Sequence, residues 1–123
     1  MKSKPSPFAL ASAFERATRN ARGIEHRKMF GYPAVFVRGN MFAGLLRNQM
    51  VVKLANADLK RMLALPGARP LVAMKGRVMR QWAVVPRAMH GDVVALKRWL
   101  SRAKSYCRSL PPKRAVRKAS RRS

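Results

Sequence analysis

A chain of 123 residues has room for one domain plus tails, not for two independent cores. Its 48% hydrophobic content excludes a disordered basic peptide, and a single cysteine, Cys107, excludes an internal disulfide framework and suits a reducing cytoplasm. Twenty-eight Lys and Arg against four acids leave a formal charge of +24, which points first to nucleic acid as partner and second to an anionic membrane face or an acidic protein.

The first predicted element is a helix over about residues 7–22. Ser6 and Pro7 suit its N-cap and first position, Phe8, Ala11, Phe14, Ala17 (or Thr18) and Ala21 recur at spacings of three or four, and Gly23 can end it. A run of short strands follows. Residues 24–30 form a first candidate, punctuated by Gly31 and Pro33, and Ala34–Val37 is a clearer strand. Gly39-Asn40 reads as a two-residue hairpin loop with Gly first, Met41–Leu46 returns, Arg47-Asn48-Gln49 turns, and Met50–Leu54 closes an antiparallel meander. The segment Ala34–Val37 is apolar on both faces, so at least one central strand is expected to be covered on both sides.

Asn56 is positioned to cap a short helix from Ala57 to about Leu65, with Leu59, Met62 and Leu63 as its buried stripe and Pro66-Gly67 as its stop. Pro70–Met74 and Arg80–Val85 read as two further strands joined around Lys75-Gly76-Arg77. The last helix has the clearest pattern. Asp92 caps it, Val93, Leu96, Leu100, Ala103, Cys107 and Leu110 form one face with Trp99 beside it, and Lys97, Arg98, Arg102, Lys104 and Arg108 fill the other. Pro111-Pro112 ends it. The connections within each strand group are too short for parallel crossovers, so the expected fold class is α+β, an antiparallel sheet with flanking helices in the order α-β(3–4)-α-β(2)-α. Residues 1–6 read as a basic arm, 7–110 as the folded domain and 111–123 as a basic disordered tail.

Chemistry is sparse. Cys107, His26 and His90 lack metal-ligand spacing, and Cys107 falls on the apolar face of the last helix, where a buried thiol is the ordinary outcome. Of the four acids, Asp58 and Asp92 have helix-start roles, Glu15 lies in a helix beside arginines, and Glu25 and His26 are adjacent and so point to opposite faces of a strand. No Gly-x-Ser-x-Gly elbow and no phosphate-binding Gly loop occurs. Seven methionines beyond Met1 are spread along the chain, as core filler would be. No enzyme activity, cofactor or metal is therefore expected.

What remains is charge. The tail holds six basic residues and no acid: Lys113, Arg114, Arg117, Lys118, Arg121 and Arg122. Twenty more lie between Pro5 and Leu110 with all four acids, leaving the body at about +16. The six tail residues are the candidate nucleic-acid contacts, with the Arg-rich faces of the first and last helices extending the track. No helix-turn-helix, zinc finger or RNA-binding aromatic signature accompanies them, so binding without base readout is expected.

MFG at Met29–Gly31, MFAGL at Met41–Leu45, LPGARP at Leu65–Pro70, G-x-x-M at Gly76–Met79, W-x-V-V-P at Trp82–Pro86 and LPPK at Leu110–Lys113 occur in an order that resembles the TfoX/Sxy N-terminal domain family over roughly residues 8–113. The resemblance implies a small α+β fold of the secretion-chaperone-like kind, ordered α-β(3)-α-β(2)-α. It also implies a bacterial cytoplasmic protein related to regulators of natural competence, which act with the cyclic-AMP receptor protein on transcription. It supplies no catalytic or cofactor residues. Full-length regulators continue into a second domain; here a basic tail follows.

Two functions compete. One is a non-enzymatic regulatory domain that binds nucleic acid non-specifically through basic surfaces. The other is a protein-interaction module that docks an acidic partner, with the tail only steering association. No segment reaches the roughly 18 apolar residues of a membrane span, and the N-terminal FALASAF is too short and too soon charged for a secretory signal, so no membrane partner is expected. An open sheet edge could pair with a second copy, making a homodimer a further expectation.

Overall fold

The computed structural model of the protein describes residues 8–19, 21–29, 31–72 and 76–112. The Ser6-Pro7 cap, the arm at 1–6 and the six tail candidates lie outside the described residues. In chain order the elements are α1 (Phe8–Thr18), β1 (Glu25–Met29), β2 (Tyr32–Val37), β3 (Asn40–Leu46), β4 (Gln49–Lys53), α2 (Asn56–Leu63), β5 (Arg69–Val72), β6 (Val78–Val84), a 3₁₀ helix (Arg87–Gly91) and α3 (Val93–Arg108). The six strands make one antiparallel sheet in the order β1-β2-β3-β4-β6-β5, so the fold is α+β with four strands in the meander.

Strand periodicity decides what each face does. On one face Val35, Val37, Phe42, Met50, Val52 and Ala83 meet Leu10, Phe14 and Ala17 of α1 and Leu96, Leu100, Ala103 and Cys107 of α3, which pack against each other. The alternate residues Ala34, Phe36, Val51 and Val84 face the other way and are also buried, at 5% exposure or less. The both-faces reading of Ala34–Val37 therefore holds. Part of that second cover is side chain on strand. Met41 lies across Gly44, where a Cβ would stand 2.6 Å from Met41 Cε, and the Arg27 guanidinium sits 4.5 Å from the Phe36 ring centroid.

Several boundaries move from their sequence readings. α1 ends at Thr18 rather than near 22, because the buried Thr18 hydroxyl donates back to the Phe14 carbonyl at 2.9 Å and the chain turns at once, Ala21 N–H reaching Thr18 O at 3.3 Å. Its buried stripe is Leu10, Ala13, Phe14 and Ala17. The β2–β3 loop is Arg38-Gly39, not Gly39-Asn40. Both residues have positive φ (51° and 83°), as a type I′ hairpin requires, and Gly39 takes the second place without a Cβ penalty. Asn40 instead opens β3.

Asn56 does not cap α2. Ala55 holds the N-cap position with no side-chain bond, and Asn56 is the first helical residue. Asp92 does cap α3, accepting from Ala95 N–H at 3.0 Å, and the predicted stripe of that helix is the buried one. The last two strands run Arg69–Val72 and Val78–Val84, each starting earlier than expected. Within β6, Gln81 has φ of 71° and is held there by a reciprocal pair: Leu54 N–H donates to Gln81 O, and Gln81 Nε2 donates to Leu54 O, both at 2.7 Å. A positive φ at a non-glycine in mid-strand leaves no trace in an alternation pattern.

Candidate nucleic-acid interface

The structure locates the root of the tail. Leu110 packs against the core after α3 ends, and the Pro111 carbonyl accepts a hydrogen bond from Asn40 Nδ2 at 3.1 Å. The same amide donates to Cys107 O at 3.2 Å, so one buried side chain at the start of β3 ties the last turn of α3 and the chain beyond it to the sheet. Basic groups collect around this point from separate elements. Arg38 Nη1 donates to Arg108 O at 3.2 Å, and Lys104 Nζ donates to Arg22 O. Sequence reasoning had Asn40 as a loop residue and gave Arg38 no role. The signal was there only in the hairpin geometry, since an I′ turn at 38–39 is what aims Arg38 at the end of α3.

From this root the outer face of α3 carries Lys97, Arg98, Arg102 and Arg108 in solvent, with Lys104 half-buried between them. Lys97 and Arg108 are separated by eleven helical steps, about 16 Å of axis. Arg102 is the member of this face with a counter-charge, 3.0 Å from Asp58, and its guanidinium lies 5.8 Å from the Trp99 ring centroid. On α1, Arg16 and Arg19 are exposed, and Arg19 pairs with Glu15 at 3.1 Å.

Where the acids stand defines the electrostatics. Glu15 pairs with Arg19, Glu25 with Arg27 at 2.8 Å, Asp58 with Arg102, and Asp92 caps α3. Every acid in the sequence is thus engaged locally, and three arginines are offset. Among the described residues the arginines and lysines far outnumber these four carboxylates, so counterions or a polyanion must balance the excess.

The residues considered for chemistry are not brought together. His26 is exposed on β1, which pairs only with β2 at one edge of the sheet, whereas His90 belongs to the 3₁₀ helix that packs on α1 and α3. Cys107 is fully buried. Its thiol donates to Met41 O at 3.7 Å, and burial pushes its pKa up from 9.0 to about 11 against an opposing pull from Lys53. Among the described residues no group of three His, Cys, Asp or Glu side chains could hold a metal ion, and no helix is long and apolar enough to cross a membrane.

A family model described as the TfoX N-terminal domain matches residues 17–106. All the ordered words of the sequence fall inside that span except LPPK at Leu110–Lys113. No curated protein and no solved structure matches the chain.

Proposed function

The chain belongs to the TfoX N-terminal domain family, and from that premise we propose that it is a non-enzymatic regulatory domain that binds nucleic acid without sequence preference through its basic surfaces. The observation that carries this reading is the placement of charge. The four acids are used up locally, the outer face of α3 presents Lys97, Arg98 and Arg108 without a carboxylate, and the tail of six basic residues springs from the end of the same helix. In this reading α3 and the tail residues Lys113, Arg114, Arg117, Lys118, Arg121 and Arg122 that follow it in sequence act together on the polyanion.

Phosphate contacts release condensed counterions, so affinity must fall steeply with salt. Six tail contacts alone correspond to a slope of roughly −5 in log K against log salt. Titrating the protein against unrelated duplexes over a salt series tests the proposal: similar affinities and a steep common slope are expected, and no detectable binding at about 50 mM salt would sink it.

A second reading has an observation of its own. Val72 and Val78 pair across β5 and β6 and are 54% and 56% exposed, with Met79 beside them and the exposed Arg77 and Arg80 flanking. Apolar side chains ringed by cations suit an acidic protein partner, with the tail steering its approach. Removing residues 113–123 separates the two readings: retained affinity for such a partner alongside lost duplex binding favours docking at this hairpin.

A further inference from the structure

Two adjoining cavities open where α1, the β3–β4 turn and the 3₁₀ helix come together. One, of about 530 Å³, is lined by Arg16 from α1, by Asn48 from the turn, and by Arg87 and His90 from the 3₁₀ helix. The other, of about 410 Å³, shares Asn48, Arg87 and His90 and adds Arg69 from β5. Arginines from three elements therefore line this pair of cavities, and none of them has an ion pair among the described residues. No acid lines either cavity. Leu10, Ala13 and Val93 on one side and Val84 and Val85 on the other supply an apolar wall.

His90 stands on the wall common to both cavities. Its Nε2 is shut off from solvent and has no hydrogen-bond partner among the described residues. Burial, and then the neighbouring Arg87, hold the His90 pKa below 6.5, which keeps the ring neutral at neutral pH. The charged group acting on the ring is Arg87 on its own element, and the other charged residues lining the two cavities, Arg16 on α1 and Arg69 on β5, are also positive. An anion admitted here would meet positive charge supplied by three elements and no acid.

We infer that this pair of cavities is a binding site for a small phosphate-bearing molecule, with Arg16, Arg69 and Arg87 holding the phosphate, Asn48 adding a hydrogen bond, His90 standing beside it, and the apolar residues taking the uncharged remainder. The size suits such a ligand, since small-molecule sites commonly occupy about 300–1,000 Å³. The site is separate from the α3–tail track. It is concave, built from side chains that converge on one volume, and does not depend on the nucleic-acid reading.

The chain has only two histidines, so His90 can be followed by the imidazole signals of its proton NMR spectrum with the exposed His26 as internal control. Pyrophosphate and inorganic phosphate are the probes, titrated at constant ionic strength made up with chloride. The expected result is a saturable shift of the His90 signal with a rise in its pKa, little movement of His26, and at least tenfold weaker binding in Arg87→Ala with smaller losses in Arg16→Ala and Arg69→Ala. All three arginines are solvent-exposed, and His90→Gln serves as a further variant read by calorimetry. Parallel, non-saturating shifts of both histidines, or an Arg87→Ala protein that binds pyrophosphate as tightly as the parent, overturn the proposal. So does a duplex that saturates the His90 shift and cannot be displaced by pyrophosphate, because the cleft would then be one more part of a polyanion track.

Discussion

The β1–β4 meander and the outer surface around α3 are built from the same basic composition and use it in opposite ways. In the meander the strand interiors are apolar, Ala34–Val37 and Met50–Val52 being buried, and on the edge strand Arg27 is held by Glu25 and by the face of Phe36. Around α3 and the root of the tail, cations accumulate, and Asp58 on Arg102 is the one ion pair among the described residues of that helix. A net charge of +24 is thus not spread evenly. The difference teaches that the core and the proposed binding surface are built from separate residues, so each can be altered alone.

The sharpest separation comes from the core of the meander. Phe42 is fully buried, and Phe42→Ala is expected to cost about 3–5 kcal/mol in urea denaturation while leaving the salt slope of duplex binding unchanged under conditions where the variant remains folded. A changed slope would show that the meander itself touches the polyanion. The converse change is removal of residues 113–123. With about six phosphate contacts the parent should lose on the order of 10³ in duplex affinity between 50 and 200 mM salt, and the truncated chain should lose far less, its slope being shallower by about 5. Its denaturation midpoint should hardly move, since Leu110 and Pro111, which dock on the fold, are retained.

Cys107 lies at the boundary, on the inner face of the helix whose outer face carries the track. A thiol raised from 9.0 to about 11 holds about a hundredfold less thiolate at pH 8 than a free one. Alkylation by iodoacetamide at that pH should therefore be slower by at least that factor in the native protein than in the denatured one. The sign for stability follows from the same shift. The unfolded chain loses this proton near pH 9 and the folded one only near 11, so stability falls as pH rises through that window and is unaffected below it. The smallest effect is expected at β1. The Arg27–Glu25 pair is largely exposed, so Glu25→Gln should change stability by no more than about 0.5 kcal/mol, yet it frees one cation and should tighten duplex binding slightly.

Much of the fold could be read from residue order because it rests on periodicity. The α3 stripe, the Asp92 cap, the Pro66-Gly67 stop and the two-sided apolarity of Ala34–Val37 are local patterns that tertiary packing happens to agree with. Errors arose where a residue's conformation was decided by a distant partner. Asn40 looks like a turn residue until its amide is seen between Cys107 and Pro111, and Gln81 looks like an ordinary strand position until Leu54 is seen to hold it at positive φ. The candidate tail residues were legible from composition alone, and they lie outside the described residues. The cleft was not legible at all. Arg16, Asn48, Arg69, Arg87 and His90 span most of the chain, and only the sheet order that places β6 between β4 and β5 brings their elements together.

The double hydrogen bond of Asn40 also sets a length scale. It pins the chain at Pro111, and the eleven residues from Lys113 onward span at most about 36–40 Å even when drawn out fully. That radius is about a dozen base-pair steps of duplex. Under the proposed function, the point at which Asn40 fastens the chain sets where residues 113–123 start along a duplex. Moving the fastening point, as Asn40→Ala would do by releasing both carbonyls, should alter how densely the protein can coat a duplex more than how tightly a single copy holds it.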